Sequence, residues 1–128
     1  MSQSLLLVAL GGALGAVTRY GVGLLSLNLA TQSSGTVFPW ATLSINIAGS
    51  FAIGLLWNLF AEASWFQEWG RALIVVGLLG GFTTFSAFSL ETLMLLDHNK
   101  WQAAFYVLAS VSGCLGAVAI GYWMGDLT

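Results

Sequence analysis

Residues 80–89 read GGFTTFSAFS, and the fold turns on how this stretch is read. It lies inside a long apolar run, residues 70–96, whose midpoint falls near Thr83. Glycine is a poor helix former, so Gly80 and Gly81 predict an interruption at the middle of that run. After them, hydroxyl residues alternate with Phe82, Phe85 and Phe88. If the run crosses a bilayer, unwound backbone at its centre is tolerated only where protein or a polar cavity satisfies it.

The composition says that it does cross. The chain has 128 residues, 58% hydrophobic and 6% charged, with mean hydropathy +0.88. A soluble domain carries about a quarter charged residues, so this chain lacks the polar groups to cover a water-facing surface. Four segments reach the roughly 20 apolar residues a spanning helix needs, at about 4–27, 36–61, 70–96 and 101–124. They predict one all-α transmembrane domain over residues 1–128, with the third helix broken at its midpoint. Asn28, Ser33, Ser34 and Gly35 mark the first turn, and Pro39 suits the opening of a helix. Trp65 and Trp69, with Glu62 and Glu68, read as an interfacial belt in the second connection. Residues 97–100, DHNK, form the third. The apolar N-terminal run lacks the basic residues that precede a signal-peptide core, so it reads as a retained first span.

Several function classes are excluded. A net charge of −2 offers nothing to nucleic acid or another polyanion. Lone Cys114 excludes a disulfide framework and reads as a buried, inert thiol. The only histidine is His98, in a loop, and no nucleophile–base or metal-ligand spacing appears, so no enzyme is expected.

Small residues recur at helical spacing: Gly11 and Gly15, Gly113 and Gly116, Gly121 and Gly125. Such residues let helices approach closely in lipid, which predicts a tight bundle. Four helices enclose little space, so a homo-oligomer is expected. Arg71 lies on the side of the N-terminus and second connection, Lys100 on the other, and Arg19 inside the first span toward the first connection. This balance gives neither orientation an advantage under the positive-inside rule. A chain inserted both ways can pair antiparallel and so make, from two copies, the inverted repeat of many transporters. A dual-topology antiparallel homodimer is the expected assembly.

Arg19, Asn46 and Glu91 fall within the spans, where polar groups are expensive and face a partner or a wet cavity. Asn46 is too deep to reach the interface, whereas Arg19 can snorkel or draw anions inward. Carbonyls freed by a midplane break suit a hard cation such as sodium, held between two copies. Beyond the break, Phe85 and Phe88 share a helical face, and Ser86, Ser89 and Thr92 form a hydroxyl track beside it. A phenyl ring is positive around its rim, so it can touch a small anion without trapping it as a full charge would.

An arginine in span one, Asn46 within NIAGS in span two, and GGFTTFSAFSLE in span three together resemble the CrcB/Fluc fluoride channels, over the whole chain. The resemblance implies an antiparallel dual-topology homodimer in the bacterial inner membrane that exports fluoride passively through two pores, with a central structural sodium ion. It assigns the pore asparagine to Asn46, the paired phenylalanines to Phe85 and Phe88, and the sodium-binding carbonyls to Gly80 and Thr83. It places Arg19 and Glu91 at the family's arginine and glutamate, with Ser86, Ser89 and Thr92 along the track. Two features depart from the family pattern. Ala87 stands where a second hydroxyl is common, and the last span offers Ser110, Ser112 and Cys114 without showing which faces the pathway. A four-span proton-coupled exporter of the small multidrug type needs a carboxylate deep in span one, and none is present. A purely structural membrane protein would leave Asn46 and the break without a purpose.

Overall fold

The computed structural model describes residues 2–30 and 38–127. These are helical almost throughout: α1 (Ser2–Ala30), α2 (Trp40–Phe60), α3 (the π-helical Phe66–Leu79 continuing into the α-helical turn Gly80–Phe82), α4 (Phe85–His98) and α5 (Lys100–Gly125). Among the described residues, four stretches are long and apolar enough to cross a membrane: Gln3–Ser26, Trp40–Phe60, Phe66–His98 and Lys100–Gly125. The third joins α3 and α4 across a break. In lipid every backbone N–H and C=O must find a partner within the protein, and helices satisfy that demand locally. α1 continues to Ala30, so Asn28 is helical rather than part of the first turn; Ser33, Ser34 and Gly35 lie outside the described residues. The DHNK connection shrinks to one extended residue. Asn99 ends α4 and caps α5, its Oδ1 accepting from Trp101 N at 3.0 Å and Gln102 N at 3.2 Å.

The third span is broken, but not at the glycine pair. Gly80 has helical angles, φ −64° and ψ −36°, and Gly81 lies within the last turn of α3. The extended residues are Thr83 (φ −79°, ψ 157°) and Thr84 (φ −153°, ψ 118°). β-Branched side chains favour extended backbone. Thr84 also serves as N-cap of α4, its Oγ1 accepting from Ala87 N at 3.2 Å, which stabilises a restart there. Gly81 instead permits contact with α1: a Cβ on it would stand 2.6 Å from Gly12 O.

Two helix pairs are zipped by glycine. Against α3, a Cβ on Gly11 would fall 2.8 Å from Leu78 N, and one on Gly15 2.7 Å from Phe82 N. Between α2 and α5 the arrangement is reciprocal: Gly54 lies against Val118 and Tyr122, Gly121 against Phe51 and Leu55. The expected small-residue packing is present at these positions, whereas Gly116 faces open space. A small core of Leu43, Leu95, Ala103 and Tyr106, flanked by Phe38, Ile47, Phe88 and Ala109, joins α2, α4 and α5. At the other end, Trp57, Phe60, Trp65, Phe66 and Trp69 form a chain of ring contacts. The Arg71 guanidinium sits 5.3 Å over the Trp57 ring, a cation–π contact suited to a membrane interface.

Gly15→Val and Gly121→Val force side chains into backbone, and overpacking of this kind costs about 1–3 kcal/mol. Both should lower the thermal midpoint of the detergent-purified protein, while Gly116→Ala leaves it unchanged.

Candidate functional site

The break in the third span is held by one side chain. Asn46 of α2 donates from Nδ2 to Thr84 O at 3.0 Å and accepts from Thr84 N at Oδ1, 2.8 Å. Its amide thus pairs with both main-chain groups of a residue that has left the helix. In an unbroken helix Thr84 N–H would close onto Gly80 O; diverted to Asn46, it leaves that carbonyl without its helical donor. Gly49, one turn after Asn46, makes room for the Thr83 methyl, which any side chain at 49 would strike. Asn46 Nδ2 carries a second N–H that these bonds leave over.

Two cavities meet at this clamp. The first, about 830 Å³, is lined by Arg19, Thr42, Thr84, Glu91 and His98 among others. These come from the half of the bundle nearest the first and third connections. The second, about 480 Å³, is lined by Asn46, Gly80, Thr83, Thr84, Phe85, Phe88, Ser110 and Cys114, with apolar residues such as Ile53 and Leu115 from the opposite half. Thr84 contributes to both walls, so the cavities follow one another along the bundle with the Asn46–Thr84 pair between them.

The Phe85 and Phe88 ring centroids are 5.3 Å apart, and Phe88 stands equally far from Tyr106. Phe88 is packed against the core, whereas Phe85 is 77% exposed. Glu91 is fully engaged: Thr42 Oγ1 donates to Oε1 at 2.7 Å and Tyr106 OH donates to Oε2 at 2.6 Å. Three helices are pinned through this carboxylate. Thr42 and Tyr106 had escaped the sequence reading because they lie 49 and 15 residues from Glu91. The available signal was the tyrosine itself, since a phenol buried in an apolar span requires a partner.

The expected site residues therefore separate into groups. Asn46, Phe85, Phe88, Gly80 and Thr83 surround one cavity; Arg19 and Glu91 line the other. Ser86, Ser89 and Thr92 are not among the residues lining either. Ser89 and Thr92 donate to the main chain one turn back, at Phe85 O and Phe88 O, and Ser86 lies 3.2 Å from Thr84 Oγ1. In the last span Ser112 is exposed and bonded to Leu108 O. Ser110 is 5% exposed with its Oγ unpartnered, and it faces the second cavity. Cys114 corrects an expectation: the thiol is half-buried and in the cavity wall, because α5 turns the face carrying 110 and 114 toward the break.

Comparison with known proteins agrees across the chain. The sequence model of the family described as CrcB-like protein, Camphor Resistance (CrcB), matches residues 6–122. Among curated relatives, the "Fluoride-specific ion channel FluC" of a Chelativorans species is 47% identical over 121 residues, 94% of each chain. The protein of that name from Magnetococcus marinus is 48% identical over 121 residues, covering 94% of this chain and 95% of the relative. That of Allorhizobium ampelinum is 44% identical over 128 residues, covering 95% and 98%.

Tyr106→Phe strips Glu91 Oε2 of its hydroxyl donor inside the bundle. A buried acceptor so exposed costs about 1–3 kcal/mol, and a lowered thermal midpoint, with Ser112→Ala as an unaffected control, is the expected result.

Proposed function

The chain belongs to the CrcB-like family of fluoride channels, and on that basis we propose that it conducts fluoride passively and selectively out of the cytoplasm of a bacterium, across the inner membrane. The observation that carries this reading is the second cavity. Asn46, Phe85, Phe88 and Ser110, whose hydroxyl has no partner, line it together, with no formal charge among the lining residues. A small anion entering a narrow passage loses water and must be offered other donors. Neutral donors and positive ring edges stabilise it enough to enter without holding it. Arg19, in the first cavity, raises the local anion concentration on the approach. Ser86 and Ser89 stand exposed beside Phe85, outside the walls of both cavities, so a hydroxyl track through Ser86, Ser89 and Thr92 belongs to the face a second copy would cover; Glu91 holds Tyr106 and Thr42 in place. Hydrogen fluoride enters cells from acid surroundings and ionises inside; a channel suffices for relief, because a negative interior drives the anion out.

The assembly we propose is an antiparallel dual-topology homodimer with two pores. Phe85 lies bare on the single chain, and Ser86 and Ser89 are exposed beside it at mid-span. A polar surface at that depth is costly against lipid, which supports its being covered by a second copy. The near-balance of Arg71, Lys100 and Arg19 supports opposite orientations. A sodium ion at the centre fits the oxygen chemistry of the break. Gly80 O has lost its helical N–H to the Asn46 clamp, and Thr83 is extended, so two neutral carbonyls become available per copy. A hard cation takes several such oxygens, more than one copy offers, so Gly80 and Thr83 of both copies would hold it. Bound there, the ion supplies positive charge that ties the two breaks together.

Proteoliposomes loaded with fluoride should empty rapidly, and those loaded with chloride at equal driving force should not. Phe85→Ile or Phe88→Ile is expected to abolish fluoride efflux with the protein still assembled; unaltered efflux in both overturns the ring-edge role. For the cation, cross-linked dimer should decline when sodium is replaced by a large organic cation. Persistence of dimer without sodium argues against the carbonyl site.

A further inference from the structure

Cys114 is the chain's only cysteine, so thiol chemistry in this protein is confined to a single atom. The residue is not sealed in helix packing: it is half-buried and stands in the wall of the second cavity with Asn46, Phe85 and Phe88. One turn earlier, Ser110 lines the same cavity, 5% exposed and with no hydrogen-bond partner for its Oγ. A buried hydroxyl left unpaired by protein calls for water or an ion, and about 480 Å³ is ample for several waters. Water seated at that hydroxyl would share the cavity that Cys114 also lines. Much of the remaining wall is aliphatic or aromatic, which favours entry of small uncharged reagents.

We propose that Cys114 is a modification site within the ion passage, where a small neutral thiosulfonate or disulfide forms a mixed disulfide and closes the route. With methyl methanethiosulfonate, the Cys114 thiolate attacks the methylthio sulfur, its proton having passed to water. A new S–S bond forms to Cys114, and the old bond to the sulfonyl sulfur breaks with its electron pair, releasing methanesulfinate. The added methylthio group occupies the space between Cys114 and the phenylalanine pair and removes the thiol S–H. Added dithiothreitol reverses the reaction by thiol–disulfide exchange. Closure of the passage rests on the fluoride reading above; the chemical accessibility of the thiol does not.

The experiment treats the intact protein in liposomes with methyl methanethiosulfonate and reads two quantities: protein mass, and fluoride efflux relative to the same sample untreated. Folded wild type should gain one methylthio group, lose most of its efflux, and recover both on adding dithiothreitol. Cys114→Ser, compared with its own untreated rate, should show neither change. Mass gain with undiminished efflux overturns the proposal, since the thiol would then lie off the route. Modification only after unfolding in dodecyl sulfate overturns it as well, because the sulfur would be sealed. If untreated wild type passes no fluoride, the fluoride reading and the closure fall together, and the mass of the folded protein alone decides whether the site exists.

Discussion

The structure depends on a carboxamide gripping a peptide group. Where the third span comes apart, Thr84 loses its place in the helical ladder, and in a membrane interior a stranded N–H and C=O would cost several kcal/mol each. Asn46 satisfies both, at 2.8 and 3.0 Å. Because the two hydrogen bonds are local and complete, α4 can restart in a new direction, with Phe85 outward and Phe88 inward. The two cavities, the freed carbonyl at Gly80 and the stance of the phenylalanines all descend from that pairing.

The rest of the bundle serves to keep Asn46 and Thr84 in register. α1 lies against α3 through Gly11, Gly15 and Gly81, and α2 against α5 through Gly54 and Gly121. These contacts bring backbones together where lipid provides no hydrophobic drive for association. Glu91 then ties α4 to α2 and α5 through Thr42 and Tyr106. A carboxylate is costly at that depth, and two charge-assisted hydrogen bonds offset much of its desolvation. The same tie leaves Glu91 in the wall of the Arg19 cavity while occupying both of its oxygens. The charged side chains therefore line the first cavity, and the second carries none.

Much of this was legible in one dimension. Hydropathy located four spans to within a few residues, because the bilayer imposes length and apolarity on any helix that crosses it. The motif GGFTTFSAFS announced a broken third span, and Asn46 announced itself as a polar group with no route to water. The position of the break was misread by three residues. Helix propensity favours Gly80 and Gly81 as breakers, but both stay helical; at Gly81 α1 packs so closely that glycine is needed for contact, and the chain opens instead at Thr83 and Thr84. For the hydroxyl track, spacing put Ser86, Ser89 and Thr92 near one face but could not show that Ser89 and Thr92 donate to their own helix.

The sequence by itself determined that this is a four-helix membrane protein with an interrupted third span and a buried asparagine, since those features follow from local composition and period. Only the tertiary structure decided what Asn46 holds, which carbonyl is released, that Glu91 is shared by Thr42 and Tyr106, and that Ser110 and Cys114 rather than Ser112 face the break. Each of these depends on how one helix is rotated and shifted against another. That is settled by glycine contacts and hydrogen bonds between residues far apart in the chain, which no local pattern encodes.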